Sequence, residues 1–242
     1  MAGIEFSIVS WEVLCVNDPR DEFLSQVVKG KSFADVGGLW GTVSEKVSVA
    51  HGYGASALTM IDVATSADEE WRLFEERRRE LGLPSVNCII GDVMSLVESN
   101  SCPQFDVVHC SGVLYHMPDP LRLMAALRKI TREYLILGSA VSPTQIQSDE
   151  GVLHLPKAAA FFIPALQDRE RAILSSHWWR FVGDQALGLT GPQPSWRSDN
   201  FSPWWWLPTV EALSAICAAA GFRCHKGAYY AWDEHAYVLL LS

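Results

Sequence analysis

The sequence predicts an α/β protein: a doubly wound, mostly parallel seven-stranded sheet with an antiparallel C-terminal hairpin, plus an aromatic-rich insert. Three observations lead there. Five short β-like runs, 32–36, 57–63, 87–91, 105–110 and 133–139, alternate with helical patterns, the rhythm of βαβ units and parallel pairing. After residue 208 a helical stretch precedes two more β-like runs, 223–230 and 235–241, joined by the turn formers Asp233 and Glu234. Two strands joined by a tight turn pair antiparallel. Between these parts, residues 141–207 lose the rhythm, being rich in proline, glycine and tryptophan without a strand period.

Taken in order, residues 1–30 are expected to form a helical lead-in. Helices are expected at 42–50, 68–81 and 119–131. The last has Asp119 to cap its free amides, Pro120 at the first helical position, and Leu123, Ala126, Leu127 and Ile130 on one face to meet the sheet. The stretch "DEEWRLFEERRRE" reads as a solvated helix face laced with close ion pairs. Near the C-terminus Thr209 caps, Val210, Leu213, Cys217 and Ala220 repeat at helical spacing, and Gly221 ends the helix. Residues 31–140 and 208–242 are therefore read as one domain, and 141–207 as an insert that serves as a substrate-binding lid.

Composition narrows the partners. With 49% hydrophobic and 19% charged residues in a chain of 242, the protein has enough apolar material for one large core. Its net charge is −9 and no stretch gathers lysines and arginines, so neither nucleic acid nor an anionic membrane is an expected partner. No apolar run is long enough to span a membrane, and residues 1–10 lack the features of a signal peptide, so a cytoplasmic protein is expected. The six cysteines, Cys15, Cys88, Cys102, Cys110, Cys217 and Cys224, form no C-x-x-C pair and read as reduced core residues. Asp233, Glu234 and His235 are contiguous, but neighbours on a strand point to opposite faces, so they read as a hairpin turn rather than a metal site.

In an open α/β sheet, ligands collect beyond the carboxyl ends of the strands. The first such turn is "DVGGLWG", residues 35–41. A dinucleotide fingerprint needs G-x-G-x-x-G, and a Walker loop needs Gly-Lys-Ser/Thr; neither is present. A nicotinamide oxidoreductase is thereby disfavoured, and a cofactor without phosphates fits better. Asp62 closes "LTMID" at the second strand, where a carboxylate can accept both hydroxyl protons of a ribose.

The turn resembles the first motif of the class I, Rossmann-like S-adenosylmethionine-dependent methyltransferases, acidic-x-G-x-G-x-G, with Asp35, Gly37 and Gly41 matching and Leu39 replacing the middle glycine. "GVLYHMPDP" after the fourth strand is similar to a segment common in natural-product and wobble-uridine members, and "PTVEALSAICAAAGF" resembles the family's last helix. The resemblance covers residues 31–140 and 208–242 and implies S-adenosyl-L-methionine as cofactor. It places Asp62 at the ribose, Asp92 at the adenine amino group, and the Val93 amide facing the ring. Asp35, Gly37, Gly38, Gly41, Cys110 and Ser111 fall near the methionine end.

Methyl transfer from a sulfonium is an in-line displacement that needs alignment, exclusion of water and sometimes a base. Six of the ten tryptophans, Trp178, Trp179, Trp196, Trp204, Trp205 and Trp206, fall in the insert. They have two readings: a wall over an apolar acceptor, with Trp178, Trp179, Trp204 and Trp205 as its contacts, or simply the core of a small insert. His116 and His177 are the candidate bases, the rival reading for His116 being a backbone hydrogen bond at a helix start. Arg180 is available for an acceptor carboxylate or other oxygen anion. The expected activity is methylation of an oxygen, or a nitrogen, of a small molecule in a biosynthetic pathway. A non-catalytic cofactor-binding or partner-docking subunit is the alternative, and a transfer-RNA-modifying enzyme the lesser one. Amino-directed nucleic-acid members carry Asn or Asp followed by Pro-Pro and an aromatic after the fourth strand, where this chain has Cys110-Ser111-Gly112-Val113.

Overall fold

The computed structural model describes residues 18–40, 45–65 and 68–242. Its main sheet is built from β1 (Ser32–Val36), β2 (Ala57–Asp62), β3 (Asn87–Ile90), β4 (Phe105–Ser111), β5 (Thr131–Ala140), β10 (Cys224–Ala231) and β11 (Ala236–Leu241). The seven strands lie in the order β10-β11-β5-β4-β1-β2-β3. β11 runs antiparallel to both neighbours, and the pairs β5–β4, β4–β1, β1–β2 and β2–β3 are parallel. Strand order reverses at β1 and β4, which opens a crevice beyond their carboxyl ends.

Helices cover both faces. On one side α1 (Pro19–Val27), α2 (Val47–Gly52) and α3 (Glu69–Glu80) pack Phe23, Leu24, Val47, Trp71 and Phe74 onto Phe33, Met60, Val107 and Ile136. On the other, α4 (Val93–Glu98), α5 (Pro120–Ile130) and α7 (Val210–Ala219) bury Met94, Leu123, Leu127 and Leu213 against Val36, Ile61, Val108 and Leu137. α5 starts as the sequence implies: Asp119 accepts from the Arg122 amide (3.0 Å) and Pro120 opens the helix. Thr209 caps α7 by accepting from Ala212. On α3, Arg72 pairs with Glu69 and Glu76, and Arg78 with Glu75 at 2.9 Å.

Several expectations change. The helix expected over 42–50 is seen as Val47–Gly52, and positions 42–44 lie outside the described residues. Of the expected lead-in at 1–30, residues 1–17 also lie outside them, and α1 is the described part. α4 has only six residues, too few to show a helical period in the sequence. The insert holds two small antiparallel pairs, β6 (Gln145–Ser148) with β7 (Gly151–His154) and β8 (Ala160–Phe162) with β9 (Trp206–Pro208), and the long helix α6 (Asp168–Val182). Among the cysteines, Cys110 and Cys217 are core residues, but Cys88 and Cys224 are exposed because they sit on the edge strands β3 and β10. Cys102 is half-buried and Cys15 lies outside the described residues. Among the described residues no helix is long and apolar enough to cross a membrane.

α1 is tied to the strand ends by charge. Asp18 caps it through the Arg20 amide (2.9 Å), grips the Arg20 guanidinium (2.8 Å) and reaches the Lys46 ammonium (2.8 Å). Burial alone pushes the Asp18 carboxyl up, but the Arg20 and Lys46 charges outweigh it and hold it well below the usual carboxylate range. Such a group contributes stability that is present above its unfolded value and lost as pH falls through the folded one. Asp18→Asn is expected to cost about 2 kcal/mol at neutral pH, removing a helix cap and a charge-assisted pair. In urea titrations the gap from the parent protein should close as pH drops below about 4; a pH-independent gap would contradict the ion-pair account.

Candidate active site

The crevice is shaped by Asp35, the penultimate residue of β1. It lies opposite His109 of β4 in the parallel register, and its Oδ1 is 2.7 Å from His109 Nδ1. Its Oδ2 accepts from the Lys46 amide at 2.7 Å, which draws the start of α2 back onto the strand end. A Cβ on Gly38 would stand 2.4 Å from that same oxygen, so the carboxylate lies directly beneath the turn. Gly37 has φ +76°, and a Cβ there would fall 2.4 Å from Val113 Cγ2, so the turns after β1 and β4 touch. Asp35 is completely buried. The structure therefore gives it the role of holding the turn.

The next residues fix the far side of the turn. Leu39 is buried with Phe33, Val47 and Leu58, while the adjacent Trp40 is exposed. The Leu39 amide donates to Asp62 Oδ2 (3.2 Å), and the Ala64 amide donates to Oδ1 (3.0 Å). The departure at Leu39 thus replaces a glycine by an apolar plug that seats the turn on the core. Burial raises the Asp62 carboxyl from its usual value, against the pull of those amides. Gly41 lies outside the described residues.

Asp62 and Asp92 come to adjacent strand ends: Asp62 pairs with Ile90 in the β2–β3 register, and Asp92 follows two residues later. Asp92 caps α4, accepting from the amides of Met94 (3.2 Å) and Ser95 (3.1 Å) and from Ser95 Oγ (2.7 Å). A carboxylate has about four acceptor positions, so capping does not exhaust it. Val93 begins that helix and is buried. At the end of β4, Cys110 is fully buried and its thiol is pushed up by burial. Ser111 Oγ lies 3.2 Å from the Tyr230 hydroxyl and accepts from Arg20 Nη1 at 3.3 Å, with the guanidinium 4.4 Å over the Tyr230 ring. Sequence reasoning missed Arg20, Lys46, His109 and Tyr230. Arg20 and Tyr230 stand 91 and 119 positions from Ser111, so no local motif could have shown them together.

The insert covers the β4–β5 side of this crevice. His116 ends a short 3-10 turn (Leu114–His116), and its Nδ1 donates to the Pro203 carbonyl at 3.2 Å, which leaves Nε2 as the ring's acceptor. Burial lowers its pKa against the two carbonyls of Pro203 and Ser202. Trp178, Trp204 and Trp205 have 0, 4 and 6% of their surface exposed. Trp178 meets Trp204 edge to face at 5.1 Å, Trp204 packs on Tyr115 at 4.6 Å, and the Trp205 indole donates to the Asn200 carbonyl. Trp178 and Trp204 thus belong to the insert's core, and Trp205 is buried against Trp196. Trp179 is exposed beside a different hollow, with Glu150, Ala172, Ser175 and Ser176. His177 is buried: Nδ1 donates to the Gln147 carbonyl (2.9 Å) and Nε2 is 2.8 Å from Nε2 of His235. Arg180 is exposed, stacks on Phe181 at 4.6 Å and lines a cavity with both histidines.

Residues 34–135 match a family model described as a methyltransferase domain. A search of curated proteins finds none that matches. Among solved structures the fold resembles magnesium protoporphyrin IX methyltransferase from Synechocystis PCC 6803 with bound SAH, at 13% identity and a TM-score of 0.56, over 92% of this chain and 81% of that one. It also resembles the glycopeptide N-methyltransferase MtfA complexed with S-adenosylmethionine, at 13% identity and a TM-score of 0.55, over 92% of each chain. A third similar fold is the mitomycin 7-O-methyltransferase MmcR, at 12% identity and a TM-score of 0.54, over 92% of this chain and 52% of that one.

The contact beneath Gly38 generates a test. In Gly38→Ala the added methyl must displace a carboxylate that two hydrogen bonds hold in place. We expect a loss of about 1–3 kcal/mol of stability, measured by chemical denaturation, with at least a roughly ten-fold weaker affinity for S-adenosylhomocysteine, or about 1.4 kcal/mol. Parent-like behaviour in both measurements would show that the turn is not clamped.

Proposed function

We propose that this chain is a class I S-adenosylmethionine-dependent methyltransferase that transfers the cofactor's methyl group to an oxygen, or a nitrogen, of a small-molecule acceptor in a biosynthetic pathway, working in the cytoplasm. One observation carries the reading. A clamped glycine turn and two carboxylates, Asp62 and Asp92, stand in order at the ends of β1, β2 and β3. The small-molecule acceptor is favoured by the acidic net charge and by the activities of proteins with similar folds, whose names give a porphyrin, a glycopeptide and mitomycin.

In this reading the donor's ribose rests on Asp62, its adenine amino group on Asp92 and its ring against the Val93 amide. Its methionine end lies over Gly37, Gly38 and Gly41 and beside Cys110 and Ser111. S-Adenosylmethionine supplies the electrophilic methyl carbon. The chain's own part is alignment and exclusion of water, which for a displacement of this kind supply most of the rate. A sulfonium loses its charge on reacting, so the apolar Val113, which packs on Gly37 of the turn, does not oppose the transition state. For an acceptor whose proton must leave, His116 is the better base: its Nε2 is an acceptor and burial keeps the ring neutral. His177 is a poor one, because its Nε2 is already engaged by His235. Trp179 and Arg180 are the acceptor-side contacts that remain accessible among those the sequence singled out.

Calorimetry with S-adenosylmethionine and S-adenosylhomocysteine tests this directly. The parent protein should bind both, and Asp62→Ala should weaken binding about ten-fold or more, the loss of a charge-assisted bidentate acceptor being worth about 1.5–3 kcal/mol. Unchanged affinity in the variant, or no binding by the parent, would overturn the assignment. A second expectation concerns charge. Desolvation favours neutral imidazole, so the NMR titration midpoint of His116 should fall below 6.5. A midpoint above that value would remove it as a neutral base.

A further inference from the structure

Beyond the end of β5, where α6, β6 and the β10–β11 turn meet, lies a cavity of about 420 Å³ lined by Pro143, Gln145, Gln147, His177, Arg180 and His235. The two histidines meet at its wall with Nε2 atoms 2.8 Å apart. Each has its other nitrogen committed. His177 Nδ1 meets the Gln147 carbonyl at 2.9 Å, and His235 Nδ1 meets the carbonyls of Trp232 (2.9 Å) and Asp233 (2.8 Å). A carbonyl only accepts, so both Nδ1 atoms carry hydrogen. Two neutral rings would then point bare lone pairs at each other. A bond at this distance therefore requires one further proton between the Nε2 atoms, which makes the pair a monocation.

Other features favour that arrangement. Trp232, Asp233 and Glu234 all have positive φ (51°, 52° and 68°), an uncommon run for residues other than glycine, and the turn they make aims His235 inward. The edge of the Trp178 and His235 rings meet at 5.2 Å, which seals the pair on one side, and Phe181 packs on both histidines. No carboxylate lines the cavity: Asp233 and Glu234 are exposed on the turn, and the other charged lining group is the Arg180 guanidinium. Burial lowers the proton affinity of His177, and the Arg180 charge beside it acts in the same direction. The spacing also decides between a proton and a metal. Two nitrogens that each bind zinc at about 2.0–2.1 Å in a tetrahedral site must stand farther apart than 2.8 Å.

We infer that this cavity binds an anionic oxygen group, a carboxylate or an acidic phenolate, with Arg180 as its hydrogen-bond donor and the singly protonated His177–His235 pair, whose ring nitrogens are all engaged, supplying positive charge at the wall, and that the group belongs to the methyl acceptor. The assignment to an acceptor rests on the methyltransferase reading; the anion site itself rests on the cavity. His177 acts here through the charge of the pair, its own ring nitrogens being engaged. Anion affinity falls as pH rises, because loss of the shared proton removes the charge and breaks the Nε2 contact.

The test uses the full chain labelled with ¹⁵N in its histidine side chains, and sodium benzoate as probe with neutral benzamide as control. Benzoate should bind saturably and shift the Nε2 signals of His177 and His235, benzamide should not, and Arg180→Gln should weaken benzoate about ten-fold. Raising the pH until the shared proton is lost should weaken it in the same way. Absence of saturable benzoate binding, equal binding of benzamide, or parent-like affinity in Arg180→Gln would overturn the proposal, as would one equivalent of metal on the histidine pair. His235→Gln reports on the pair without removing the Arg180 charge and should lower benzoate affinity; a parent-like value contradicts the shared proton. S-Adenosylhomocysteine binding is measured on the same samples. Benzoate binding without it would leave the anion site in place and overturn its assignment to a methyl acceptor.

Discussion

The structure turns on a buried carboxylate. Asp35 has no access to water, and a buried charge is tolerated only when polar partners surround it. Its contacts tie three elements together: it meets His109 from β4, accepts from the Lys46 amide at the start of α2, and packs directly beneath Gly38 of the turn. Satisfying one side chain therefore fixes the distance between β1 and β4, the entry of α2, and the height of the turn over the strand ends. Because the glycines at 37 and 38 leave no room for a Cβ, the turn lies flat on this support. The shape of the turn is therefore a consequence of satisfying the core beneath it.

Charge repeats that logic at the periphery. Asp18, Asp21, Arg20 and Lys46 join α1 to the same strand ends, and Arg20 continues through Ser111 and Tyr230 to the hairpin. On the other flank, the insert has its own apolar core of Ile146, Ile163, Ile173, Leu174, Trp178, Trp204 and Leu207, joined to the sheet through Tyr115 and Ala140. The tryptophans supply packing area there. The polar groups His177, His235 and Arg180 gather at its margin.

Much of the fold was legible because its signals are local and periodic. The strands from Ser32 to Ser139 and the hairpin were marked by short β-like runs, and α5 and α7 by caps and apolar spacing at Asp119, Leu123, Thr209 and Leu213. α4 was invisible because one turn and a half shows no period, although its cap, Asp92, had been noticed for another reason. The insert's β6–β9 pairs were hidden because their strands are three or four residues long. In the site, Asp62 and Asp92 could be placed by strand order alone. What Asp35 touches could not, because its partner His109 lies on β4, 74 positions away, and looks in sequence like any residue of a buried strand. The same holds for His177 and His235, 58 positions apart, whose meaning appears only when both Nδ1 atoms are seen to face carbonyls.

A crystal structure of the complex with S-adenosylhomocysteine examines the central claim most directly. The account predicts both ribose hydroxyls within hydrogen-bond distance of the Asp62 carboxylate, the purine between Asp92 and Val93, and Asp35 unmoved beneath Gly38. A ligand seated away from the ends of β1, β2 and β3, or an Asp62 carboxylate turned from the sugar, would contradict it.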